Sequence, residues 1–92
     1  MSAKAEGKPI DSYWIEILDD QIWANAELVS ITYEDTELFL VKCRLCHGDA
    51  GKPIADIRRV TLSMDDANRL YEEYKRKTRQ FVCTCLNNIN KD

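Results

Sequence analysis

The chain has 92 residues, 45% apolar and 32% charged, a composition that fits one small globular domain and excludes a disordered one. Its longest apolar run, Leu38–Val41, is far shorter than the ~20 residues of a membrane span. The net charge of −3 conceals a division: Met1–Val41 holds two bases against nine acids, a net −7, and Lys42–Asp92 holds eleven bases against seven acids, a net +4. Segregated charge of this kind points to association with charged partners and says nothing of the fold.

The opening MSAKAEGKP is small and polar, with no apolar stretch behind its lysines, so residues 1–10 read as a flexible lead and not as a secretory leader. The rest, residues 11–92, reads as one α+β domain. A cytoplasmic location is expected, whether in a cell's own proteome or in that of a virus growing inside a host cell, and with it thiols that stay reduced unless they hold a metal.

Ser12–Leu18 is aromatic and β-branched and reads as a first strand, with Asp19-Asp20 as the turn after it. Gln21–Tyr33 reads as a second strand with an irregularity near Asn25. Its Val29–Tyr33 portion alternates clearly. Glu34-Asp35-Thr36 makes the next turn, and Glu37–Cys46 is the third strand. His47–Pro53 holds two glycines and a proline and is a loop. Ile54–Leu62 is the fourth strand. Short connections throughout predict an antiparallel meander over residues 12–62.

Ser63, with Asp66 three residues on and Asp65 beside it, marks a helix start. At about 100° per residue, Met64, Ala67, Leu70, Tyr71, Tyr74, Thr78 and Phe81 share one face. An amphipathic helix over residues 64–80 should therefore lie on the sheet. From Phe81 on, the apolar phase continues through Val82, Cys85 and Ile89, which extends the helix to about residue 88. The β-branched and cysteine content of Phe81–Leu86 instead suits a strand. Phase continuity favours the helix.

The four cysteines form two tight pairs. Cys43 and Cys46, followed by His47 and Gly48, have the spacing of a zinc knuckle, with Cys83 and either Cys85 or His47 as the remaining ligands. The four-cysteine site requires Phe81–Leu86 to be a strand, because residues two apart on a helix diverge by about 200°. Otherwise the cysteines are small core residues and the chain has no cofactor. Cys46-His47 also completes the CxxCH string of haem attachment, whose chemistry needs export. A Cys46 nucleophile with His47 as base is disfavoured, since neighbours on a strand point to opposite faces. The acidic pairs Asp19-Asp20, Glu34-Asp35, Asp65-Asp66 and Glu72-Glu73 fall in predicted turns or on the helix's outer face, where turn and cap chemistry accounts for them. No nucleophile or acid–base pair remains, so the chain is not expected to be an enzyme or to take a small-molecule substrate.

A binding protein is the remaining class. Its basic side is Arg58, Arg59, Arg76, Lys77 and Arg79, able to meet protein carboxylates or a phosphate backbone; its acidic side is Asp19, Asp20, Glu34 and Asp35. Trp14 and Trp23 are core candidates, one of them a candidate interface anchor. In size, acidity, β-then-α layout and lack of an active site, the chain resembles the small phage-encoded anti-CRISPR inhibitors. The likeness is one of overall character, with no residue roles carried over. It implies a CRISPR effector ribonucleoprotein as partner and block of target-DNA recognition as outcome. The alternative is a small zinc-binding structural or adaptor module in a larger assembly.

Overall fold

In the computed structural model, which describes residues 6–17, 21–48 and 54–89, the chain runs β1 (Glu6–Ile17), β2 (Ile22–Tyr33), β3 (Thr36–His47), β4 (Ala55–Thr61) and α1 (Met64–Ile89). The strands form one antiparallel sheet in the order β1-β2-β3-β4, the meander expected from the short connections. The helix covers one face of it, mainly over β2 and β3.

Alternation decides which residues α1 covers. On β2, Ile22, Ala24, Ala26 and Leu28 are buried and the residues between them are only partly so. On β3, Phe39, Val41 and Cys43 continue the same face, aligned by the pairs Ala26↔Cys43 and Leu28↔Val41. Alanine has little β-propensity. Here its small size lets two tyrosines of α1 approach the sheet. Ala67, Tyr71 and Tyr74 pack with Ala26, Leu28, Phe39, Val41 and Cys43, while Val82 and Cys85 pack with Ile22 and Ala24. Leu45 touches both clusters and joins them. A helix of 26 residues is about 39 Å long, close to the ~40 Å of a 12-residue strand, and it covers residues 22–28 of β2 and 39–45 of β3 while Thr32 and Glu37 at the hairpin end stay exposed.

The start of α1 follows the sequence expectation. Asp66 N donates to Ser63 Oγ at 3.4 Å, and Ala67 N donates to Ser63 O at 3.0 Å. A cap of this kind contributes about 1 kcal/mol. The one fully buried polar side chain among the described residues, Thr78, satisfies itself by donating to Lys75 O at 2.6 Å.

Three expectations change. Residues 6–10, read as part of the lead, belong to β1: Glu6, Gly7, Lys8 and Pro9 pair with Thr32, Ile31, Ser30 and Val29. The irregularity expected near Asn25 on β2 lies instead on β1, where the register shifts between Pro9 and Asp11. Proline has no N–H for the ladder, so an edge strand absorbs the shift at lowest cost. Phe81–Leu86 is helical, and α1 continues unbroken to Ile89. The residues that stay in phase, Val82 and Cys85, are those that reach the sheet.

Candidate partner-binding surfaces

The sequence grouped five bases, and the fold separates them. Arg59 pairs with Val41 in the sheet and so stands on the side that α1 covers, close enough to Tyr74 to act on its hydroxyl. Arg76 and Lys77 are exposed on α1, and Lys77 lies near enough to Cys43 to act on its thiol. Arg79 leans the other way, its guanidinium 5.7 Å from the ring centre of Tyr13 on β1. Among the described residues none of these four is ion-paired; the nearby Lys75 is, through Glu72 one turn earlier. Arg58 lies apart. It pairs with Lys42 on the opposite face of the sheet and binds Asp56 at 3.4 Å, holding that carboxyl below its ordinary range.

On the acidic side, Glu34 and Asp35 form the two-residue turn between β2 and β3, with φ of 48° and 63°. Both positive values match a type I′ hairpin turn, in which asparagine and glycine are the usual occupants. Two carboxylates are thus held at the tip of the sheet, next to Glu37, which accepts from Ser30 Oγ at 3.1 Å. Asp19 and Asp20 lie outside the described residues.

The cysteines are not brought together. Cys43 points under α1 beside Ala26, whereas Cys46, three residues on, pairs with Trp23 and lies on the other face. Cys85 is buried against Ile22 and Ala24, and Cys83 is exposed on the outer side of the helix. Among the described residues no group of three or more metal-ligating side chains converges. Burial pushes the Cys43 and Cys85 thiols up, away from the thiolate a nucleophile needs.

Burial also raises Tyr74, and it raises Tyr71 to about 12, with the Asp11 carboxylate adding to the effect. All four groups have folded pKa values above their unfolded ones, so the stability they contribute is complete below pH 9.0 and drains away as pH rises towards about 12. The melting temperature should therefore be level near neutrality and fall from about pH 9 upward, as followed by circular dichroism. A melting temperature unchanged between those limits would contradict the burial of these groups.

A surface that the sequence reading did not single out is the face of the sheet that α1 leaves open. Trp14 and Trp23 stack there, ring centres 5.0 Å apart and 8° from parallel. Beyond them the cross-strand rows change character along the strands. One row, Trp14, Asn25, Arg44 and Asp56, is followed by Ser12, Glu27, Lys42 and Arg58, then by Pro9, Val29, Leu40 and Val60. The polar middle is tied by Lys42–Glu27 at 3.6 Å and Arg44–Asp56 at 3.5 Å. The apolar end continues through Ile31 and Leu38, which pair with each other. Trp14 is 54% exposed and Val60 58%. The signal for this face was the run Leu38–Val41, apolar at every position and not at every second one, which is the pattern of a strand with two sides to cover.

One shallow, open concavity of about 710 Å³ runs along the outer side of α1, lined by residues such as Asp65, Arg69, Glu72 and Arg76. Among the described residues no helix is long and apolar enough to cross a membrane. Compared with known proteins, the chain matches no family model, no curated protein and no solved structure.

Proposed function

We propose that the chain is a non-enzymatic binding protein that acts by surface and charge complementarity. The observation that carries this is the set of exposed cations Arg59, Arg76, Lys77 and Arg79, on and beside α1, none of them ion-paired among the described residues. A paired cation already has its counter-ion; one without a protein partner can neutralise a carboxylate or phosphate brought to it. The carboxylates of Glu34 and Asp35 at the hairpin tip supply a second contact of opposite sign. Neither surface contains a positioned nucleophile with its base, which supports binding over catalysis.

The finer form of the proposal is an anti-CRISPR inhibitor. Its acidic end would occupy a lysine-rich path meant for DNA, and its basic surface would contact carboxylates or guide-RNA phosphates of an effector ribonucleoprotein. The test is to mix the full chain with a purified effector complex and measure co-migration and target-DNA binding. Co-migration with loss of DNA binding is expected. Absence of both removes the anti-CRISPR reading. Capture of a different anionic partner by the same residues would leave the general binding reading standing.

A further inference from the structure

We propose that the open face of the sheet is a self-association surface, on which a second copy of this chain packs face to face to make a four-on-four β-sandwich. This goes beyond the binding reading and does not depend on it.

The edges of the sheet are poorly suited to pairing. On β1 the register shift beside Pro9 breaks the ladder, and β4 is only seven residues long and carries Asp56, Arg58 and Arg59. The face is suited to it. Three strands of 12 residues, about 40 Å long, and one of seven, about 23 Å long, set about 4.8 Å apart, present a footprint of roughly 690 Å², somewhat below the ~800 Å² per partner of a stable interface. The molecule is flat, 16 Å across its thinnest dimension, with a radius of gyration of 15.4 Å against about 12 Å for a compact chain of this length. One more layer makes it compact.

Charge complementarity selects the second copy as occupant and fixes its orientation. On the open face Glu27 on β2 is paired with Lys42 on β3, and Asp56 on β4 with Arg44 and Arg58, so the Glu27–Lys42 pair is a dipole across the strands that a second copy can meet head to tail. A twofold axis along the strands lays β2 over the partner's β3 and β1 over the partner's β4, with every row kept level. Glu27 then meets the partner's Lys42, and Val29 meets the partner's Leu40. An axis across the strands would instead set the apolar rows against the end that carries Trp14 and Trp23. Sandwiched sheets cross at about −30°, so the match is best in the central rows, where these pairs lie. The charged middle must be desolvated, which makes the dimer weak and concentration-dependent.

Sedimentation equilibrium of the full chain tests this, over concentrations from about 1 μM to about 1 mM. A reversible monomer–dimer equilibrium is expected. Val60→Glu, at a position 58% exposed and therefore tolerant of the change, should weaken it at least tenfold with an unaltered circular dichroism spectrum. Glu27→Lys and Lys42→Glu should each weaken it alone, because each opposes like charges twice across the axis. An equal mixture of those two variants should restore the dimer, since both contacts become complementary in the mixed pair. A wild-type chain monomeric throughout the range, a dimer indifferent to Val60→Glu, or a mixture that fails to restore association would each overturn the proposal.

Discussion

Replacing Tyr74 with alanine is expected to remove about 3–5 kcal/mol of unfolding free energy, the range for emptying a buried aromatic position. Tyr74 is 3% exposed and packs in the cluster formed by Leu28, Phe39, Val41 and Cys43. Of the two residues that β2 contributes to that cluster, Ala26 and Leu28, Ala26 has no side chain able to lean into the space left behind. A site that cannot collapse sits at the costly end of such substitutions. A domain of this size has a total stability near the low end of the usual ~5–15 kcal/mol, so the variant should be close to unfolding. Urea denaturation measures the loss directly. Tyr74→Phe keeps the ring and should cost no more than about 1.5 kcal/mol. Leu62→Ala, at a side chain 77% exposed, should change stability by no more than about 0.5 kcal/mol. A loss as small as that for Tyr74→Ala would mean that α1 does not bear on the sheet through this residue.

Reversing Arg76 and Lys77 together to glutamate should weaken binding to the partner at least about tenfold, chiefly through slower association, and should reduce the salt dependence of the remaining affinity. Both side chains are exposed on α1 and neither is ion-paired within the described chain, so the melting temperature should hold. Arg58→Glu is the informative comparison. Sequence grouped Arg58 with Arg59, but the two are neighbours on a strand and stand on opposite faces of the sheet. Reversal at Arg58 should therefore leave binding through the helix side unchanged. Equal losses from Arg58→Glu and from the helix pair would show that the partner wraps both faces. No loss from any of these changes would transfer the binding energy to apolar contacts.

The architecture was largely legible because its determinants are local. The β-branched stretch Val29–Tyr33, the turn at Glu34-Asp35 and the Ser63 cap each act within a few residues of themselves, and strand, turn and cap stand where the sequence placed them, although burial alternates over residues 22–28 and not over Val29–Tyr33. The N-terminal part of β1 was not legible. Glu6–Pro9 has no strand pattern of its own; it is extended because Val29–Thr32 lies beside it and offers ladder partners. The candidate site was legible by residue type and not by arrangement. Arg59, Arg76 and Lys77 could be named as bases from sequence, but that none of them is ion-paired among the described residues could not. Cys43 and Cys46 likewise had suggestive spacing, and only the extended backbone of β3 turns that spacing into two thiols facing opposite ways.

By itself, then, the sequence determined four strands, their antiparallel order and an amphipathic helix that begins at Ser63, since periodicity and capping are properties of a short stretch of chain. Tertiary structure alone decided which side of each strand is covered. One helix can lie on one face only, and once α1 holds Val82 and Cys85 against Ile22 and Ala24, the other face is left to Trp14, Trp23, Val29, Leu40 and Val60. That choice separates Arg58 from Arg59 and Cys43 from Cys46, because side chains one or three residues apart on a strand point to opposite sides whatever their chemistry.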